Sequence, residues 1–329
     1  MPTRDIERLD ALDPERFESE FNAAARPVIV SNSLHWPALR KWSHEWFRDT
    51  CGDLDVELST NPTHTHKPVK MRLGAYMQRI IDNHQMQGGL YLDQFPLSRL
   101  PALAQDFWVP PYCSRQREVM PHLWIGPATT VLSFHKDNHN PLTEIENIFV
   151  QIRGRKRILL ASPENDPLMY PRPPGKGAYW HSEVDPQAID EQRFPLYAKA
   201  TILEGVVGPG DVIYIPRNYW HYVRALERSI SMSFWWNPCR LMEVVRLLTI
   251  NPAPKLEELH RQGRISLMLE DIAEFGGVSR LESAFAQFHN PVALEEVAAR
   301  LMHYADPPAR RAIELALAKV HPEPMVSGQ

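Results

Sequence analysis

The chain reads as a mainly β protein with flanking helices: a jelly-roll, or double-stranded β-helix, barrel followed by a C-terminal helical bundle. Three observations predict this. Residues 121–237 hold eight short runs rich in β-branched and aromatic residues. Turn sequences such as RGRK (153–156) and GPGD (208–211) separate runs of this kind. Eight short strands so connected fit a barrel that manages its sheet edges by near closure. After residue 238, apolar residues recur at helical spacing. The expected division is therefore residues 1–120, an α/β segment that flanks and extends the barrel; 121–237, the barrel; and 238–329, a helical region that packs on itself or pairs two copies.

In chain order, Asp13-Pro14 before ERFESEFNAAA predicts a capped helix start with proline in its first turn. PVIVS (27–31) predicts a buried strand, SHEWFRDTCG (43–52) a short helix closed by Gly52, and GLYLDQ (89–94) a further strand. NPTHTHKP (61–68) reads as a polar loop in which His64 and His66 are solvated. The eight barrel strands are HLWIG, TTVLSFH, NIFVQI, KRILLAS, ATILEGV, DVIYIP, HYVRA and SISMSFWW. A long proline-rich stretch, 163–199, interrupts them, and loops of that length are usually functional. RLMEVVRLLTI, KLEELHRQGRISLMLEDIAEF, PVALEEVAARLMHY and PPARRAIELALAKV complete the chain as helices.

Length and composition bound the function only loosely. The 329 residues allow one large domain, or a core domain with a smaller appended unit. A net charge of −4 gives no reason to expect nucleic-acid or membrane binding. Three widely spaced cysteines, Cys51, Cys113 and Cys239, read as reduced thiols of a cytoplasmic protein. MPTRDIERLD lacks the apolar core of a signal peptide, and no apolar run approaches the ~20 residues of a membrane helix.

One stretch carries chemistry. In VLSFHKDNHN (131–140), face alternation lets His135, Asp137 and His139 look the same way. The His-x-Asp/Glu spacing is weak by itself. It occurs three times, at His135/Asp137, His181/Glu183 and His321/Glu323, where chance supplies roughly two. Only the first ends a convincing strand. In GPGDVIYIPRNYWHYV (208–223), Pro216 stops a strand and Asn218 suits the left-handed turn that would set His221 at the mouth of a barrel. Two histidines and a carboxylate on one face leave coordination positions open, which suits a non-haem Fe(II) oxygenase.

TVLSFHKD, NIFVQIRGRKRILLASP, FPLYAKA, GPGDVIYIP and YWHYVRALERSISMSFWW, in that order, resemble the cupin-like JmjC oxygenases. The likeness covers residues 85–240, and RPVIVSNSLHWPAL resembles the entry segment of the same family. It is nearest the protein-hydroxylase branch, which holds asparaginyl and arginyl hydroxylases. The resemblance implies that His135, Asp137 and His221 bind Fe(II). It implies that Lys156, Tyr91 and Asn147 contact 2-oxoglutarate, that Ser233 stands where some relatives carry an asparagine at the same site, and that Trp235 lines the substrate pocket. Arg153 and Arg155 read as a basic turn facing solvent, with Lys156 alone turned inwards by alternation.

The chain departs from the family pattern in two places. Leu132 stands where relatives usually carry a threonine or serine that bonds 2-oxoglutarate, and Thr129, Thr130 and Ser133 are the nearby hydroxyls able to take its place. The residues at 138–146 read as an insertion, which leaves Asn138 or Asn140 as alternatives to Asn147. His139 then becomes a loop or substrate-facing residue.

The implied reaction is hydroxylation of an amino-acid side chain in a protein or peptide, with O2 consumed and 2-oxoglutarate decarboxylated to succinate and CO2. The alternatives are a free amino acid or natural-product intermediate as substrate, N-methyl-lysine demethylation, or a metal-binding scaffold without activity. The resemblance also implies a homodimer through the C-terminal helices.

Overall fold

The computed structural model describes residues 3–60, 68–82, 89–113, 119–137, 145–172, 181–236, 253–262 and 291–320, with five further single positions between 265 and 285. His64, His66, Asn138, His139, Asn140, Cys239, the 240–250 helix and the His321/Glu323 pair lie outside the described residues. The chain divides into two compact units, with the boundary after Trp236.

The first unit holds the strands β1 (Arg4–Asp5), β2 (Arg8–Leu9), β3 (Val28–Val30), β4 (Asp55–Leu58), β5 (Val69–Arg72), β6 (Leu92–Pro96), β7 (Met120–Gly126), β8 (Val131–His135), β9 (Glu146–Arg153), β10 (Lys156–Ala161), β11 (Leu203–Val207), β12 (Val212–Ile215), β13 (Trp220–Ala225) and β14 (Ser229–Trp236). They form a five-stranded sheet, β1-β11-β10-β13-β8, a seven-stranded sheet, β2-β3-β12-β9-β14-β7-β6, and the pair β4-β5. All eight strands read from 121–237 are present, and the two large sheets make the cupin-like jelly roll.

Alternation along the strands builds three apolar layers. Leu132, Ile158 and Val223 of the five-stranded sheet meet Phe149, Ile213 and Trp235 of the seven-stranded one in the barrel interior. The opposite face of β14, carrying Ile230, Met232, Phe234 and Trp236, packs against N-terminal side chains that include Phe21, Trp36, Trp42 and Phe47. The outer face of the five-stranded sheet, with Phe134, Leu159 and Tyr222, is covered by Met169, Val184, Phe194 and Tyr197. These last four come from the proline-rich 163–199 stretch, so much of that stretch is a packed cover. Each fully buried side chain of this size contributes about 1.5–3 kcal/mol of transfer free energy, so both sheets are held from both faces.

Turn chemistry sets the register. Gly154 in RGRK has φ +68°, and a Cβ there would meet the Arg228 carbonyl oxygen at 2.3 Å. Asn218 takes the left-handed conformation expected of it, with φ +63°. Arg153 departs from the solvent-facing reading. Its guanidinium donates to the carbonyls of Trp42 at 2.7 Å and Arg40 at 2.9 Å, tying the turn to the N-terminal segment. Arg155 does face solvent and pairs with Glu227.

Two further expectations change. Asp13 caps the first helix, accepting from the Glu15 and Arg16 amides, but after one turn the helix widens to π over Phe17–Asn22. That shift buries Phe17, Phe21 and Asn22 together. Gly52 follows the helix His44–Cys51 with φ −60°, so it is no left-handed cap. A Cβ there would strike the Arg48 carbonyl oxygen at 2.3 Å and meet Gly74 Cα at 3.4 Å. Glycine is needed for close approach to Gly74 at the start of the next helix, Leu73–Asp82.

The second unit contains the helices Ala253–Arg261, Pro291–Tyr304 and Pro307–Val320. Leu256, Leu259, Leu294, Leu301, Ile313 and Leu317 share one buried cluster, as their spacing predicts.

Candidate metal and cosubstrate centre

The β8–β13 pairing sets His221 directly opposite His135. Strand alternation would turn both side chains to one face, and their rings lie 4.0 Å apart, centre to centre. Asp137 sits two residues past His135, beyond the end of β8. The ligand atoms of His135, Asp137 and His221 lie within 4.8 Å of one another.

Hydrogen bonding selects the tautomers. His135 Nδ1 donates to the Ser133 carbonyl at 2.8 Å, and His221 Nδ1 donates to the Tyr219 carbonyl at 3.2 Å. Each ring thus spends its proton on the backbone and keeps Nε2 as a lone-pair donor. Those Nε2 atoms lie 3.9 Å and 3.5 Å from Asp137 Oδ1.

Electrostatics prepares the same set. Burial, reinforced by His221, holds the His135 pKa well below its ordinary value, so the ring is neutral at physiological pH. Burial alone would raise Asp137, but His221, His135 and the Asn147 amide hold it at about 2. Two imidazoles and one carboxylate are the donor set that Fe(II) takes in a 2-His-1-carboxylate site, and the three side chains fit that ion.

These residues open on a narrow cavity of about 20 Å³. Lys156 lines it, and its side chain is almost wholly buried. Its Nζ donates to Tyr91 Oη at 3.1 Å and lies over the rings of Tyr91 and Phe149. No carboxylate pairs with it among the described residues. Burial lowers its pKa to about 7. An ammonium in an aromatic cage without an anionic partner fits the far carboxylate of a dicarboxylate such as 2-oxoglutarate.

Asn147 lines the cavity as well. Its Nδ2 donates to Asp137 Oδ2 at 3.0 Å, and its Oδ1 is buried without a partner among the described residues. Trp235 lines the cavity edge-on to Trp124 with its indole Nε1 likewise unpartnered. Ser233 is not among the lining residues. Its buried hydroxyl accepts from Trp124 Nε1 at 2.6 Å and holds that wall in place.

Thr129, Thr130 and Ser133 do not line the cavity. Leu132 faces the cavity. Thr130 donates to the Pro127 carbonyl, Ser133 meets His181 Nδ1 at 3.3 Å, and Thr129 is exposed in a left-handed turn. The wall at this point is apolar.

Sequence reasoning missed two neighbours. His181, set aside with the chance His-x-Glu pairs, is buried and stacks on His135, with ring centres 5.4 Å apart. It bridges His135 through the backbone but is not one of the three converging ligands. Its spacing was visible, and only the lack of a strand pattern around it hid the placement. Glu146, fully buried next to Asn147, bonds Tyr214 and forms an ion pair with Arg217 at 2.8 Å. Arg217 lies in the turn leading to His221, so this pair links the start of β9 to that turn.

Residues 14–240 match the model of the cupin-like domain family. The chain is 32% identical over 249 residues to "Lysine-specific demethylase 8" of Danio rerio, covering 72% of this chain and 59% of that protein. It is 32% identical over 248 residues to "Jumonji C domain-containing protein 5" of Drosophila melanogaster, covering 70% and 60%. It is 27% identical over 262 residues to the human "Bifunctional peptidase and (3S)-lysyl hydroxylase JMJD7", covering 68% and 81%. The chain thus spans about three-fifths of the length of the first two. Among the described residues, no helix is long and apolar enough to cross a membrane. The match across most of the chain makes it a member of the cupin-like domain family; its barrel brings together two histidines and a carboxylate, and its relatives include proteins named as a lysine-specific demethylase, a Jumonji C domain protein and a lysyl hydroxylase.

Proposed function

We propose that the chain hydroxylates an amino-acid side chain of a protein or peptide. The observation that carries this reading is the convergence of three ligand atoms on a cavity that also holds the unneutralised Lys156. In this reading His135, Asp137 and His221 hold Fe(II). Lys156 and Tyr91 bind the far carboxylate of 2-oxoglutarate, and Asn147 orients the Asp137 carboxylate. When bound, Fe(II) with 2-oxoglutarate and O2 supplies the oxidising chemistry, in which the cosubstrate becomes succinate and CO2. Trp235, Trp124, Leu132 and Phe149 exclude water from the reacting atoms and shape the space for the substrate side chain. The human lysyl hydroxylase among the relatives supports a peptide substrate.

A second reading has comparable support, because other relatives are named lysine-specific demethylases. Hydroxylation of an N-methyl group, followed by loss of the unstable hydroxymethyl, would use the same residues. Intact-mass measurement of peptide and metabolite mixtures after incubation with the enzyme separates the readings. We expect a peptide product one oxygen heavier. A peptide one methylene lighter would establish demethylation, and an oxidised small molecule alone would overturn the peptide assignment. Pairing of two copies through the C-terminal helices belongs to this proposal too. Among the described residues of those helices, Leu315, on the helix Pro307–Val320, is the large exposed apolar side chain available to it.

Cosubstrate binding should depend on pH through Lys156. Its pKa of about 7 in the free protein leaves the amine increasingly neutral above that pH. A bound carboxylate favours the charged form, so binding above pH 7 takes up a proton. Affinity for 2-oxoglutarate should therefore fall with rising pH, by up to about tenfold per unit. Calorimetry at pH 8 in two buffers of different ionisation enthalpy reads the uptake directly. Close to one proton per ligand is expected, and zero would contradict the assignment.

A further inference from the structure

We propose that Asp166 is a positioning residue that fixes the three-ligand set from behind the sheet, an inference that rests on His135, Asp137 and His221 being the metal site. Lys136 lies between His135 and Asp137, and Trp220 immediately precedes His221. Strand alternation turns Trp220 away from His221, and Lys136, just past the end of β8, reaches the same carboxylate, Asp166. Lys136 Nζ lies 2.7 Å from both Asp166 oxygens, and Trp220 Nε1 donates to Asp166 Oδ1 at 2.7 Å. Lys136 Nζ also sits 4.9 Å over the Trp220 ring.

Asp166 is itself held. It lies in the short 3-10 helix Pro163–Leu168, which follows directly from β10, whose last residue, Ala161, pairs with Trp220. Pro163 and Pro167 restrict the backbone on either side. The neighbouring Asn165 is buried, donates to Ser162 Oγ at 3.0 Å and accepts from the Thr201 amide at 2.8 Å.

The site needs such an anchor at this point. Lys136 and Asp137 lie past the end of β8, where ladder bonds no longer fix the backbone. Asp166 is half exposed, so its charge pair with Lys136 is partly screened. Its contribution is geometric: it locks the residue from which Asp137 reaches the metal to the residue next to His221. Partners that orient metal ligands typically change affinity by 10–100-fold. Acting one residue removed, Asp166 belongs at the low end.

The test uses Mn(II) titration followed by electron paramagnetic resonance, the visible spectrum of the Co(II)-loaded protein, and the melting temperature of the metal-free protein. The proteins compared are the wild type, His221→Ala, Asp166→Ala, Asp166→Asn and Lys136→Met. The wild type should bind Mn(II) and His221→Ala should not. Asp166→Ala and Lys136→Met should each weaken Mn(II) about tenfold and change the Co(II) spectrum, while Asp166→Asn, which keeps an acceptor for the indole, should lose less. Wild-type Mn(II) affinity and an unchanged Co(II) spectrum in Asp166→Ala and Lys136→Met would overturn the proposal, whatever their melting temperatures. If Asp166→Ala does not fold, Asp166→Asn and Lys136→Met decide by the same criteria. Failure of the wild type itself to bind Mn(II), or equal binding by His221→Ala, would instead overturn the metal assignment and this inference with it.

Discussion

Replacing Asp137 by alanine should cost the protein its Fe(II). The carboxylate is the one anion among the three converging ligands, and with its pKa at about 2 it is ionised across the working range. Losing an oriented outer partner weakens a metal by roughly 10–100-fold, so losing a direct anionic ligand should exceed that, on the order of a thousandfold. Asp137→Asn keeps the shape and removes the charge, and should fall between. Metal titration of the purified proteins under anaerobic conditions checks this. Retention of wild-type affinity in Asp137→Ala would place the metal elsewhere.

Lys156→Met should separate binding from stability. Charge-assisted hydrogen bonds to a buried carboxylate are worth about 1.5–3 kcal/mol, so 2-oxoglutarate affinity should drop by about 10–150-fold. The fold should respond in the opposite sense. In the free protein, Lys156 is a buried amine whose pKa is lowered by burial, and its hydrogen-bond partner among the described residues is Tyr91. Methionine is similar in length and carries no group to desolvate, so the ligand-free melting temperature should hold or rise. A fall in melting temperature with unchanged cosubstrate affinity would mean that Lys156 serves the core alone.

The barrel was legible because each strand carries its own signal. NIFVQI and KRILLAS carry apolar residues on both faces, SISMSFWW alternates serines with large apolar residues, and the structure buries both faces of each. Strand alternation turned Lys156 inwards, as expected. The metal set was half legible. The end of β8 singled out His135 and Asp137, while His221 needed the turn chemistry of Pro216 and Asn218 and the family resemblance.

The unread features depend on contacts distant in the chain or too short to show a period. β1 and β2 are two residues each and are defined by parallel pairing to β11 and β3. Arg153 sits in a turn that reads as solvent-exposed, yet its partners are Arg40 and Trp42. His181 reaches His135 from a proline-rich stretch without strand alternation. Over its first turn, a π-helix presents nearly the same pattern as an α-helix, so Phe17–Asn22 could not be told apart.

The central claim is that this cavity is an Fe(II)- and 2-oxoglutarate-dependent oxygenase site built on His135, Asp137 and His221. Its most direct test is succinate formation from 2-oxoglutarate by the full-length chain, with and without Fe(II), in the wild type and in His135→Ala, over a broad panel of peptides and small molecules. The wild type should form succinate only with Fe(II), at least as slow uncoupled turnover, and His135→Ala should form none above background. No Fe(II)-dependent succinate from the wild type with any substrate, or equal turnover by His135→Ala, would contradict the account.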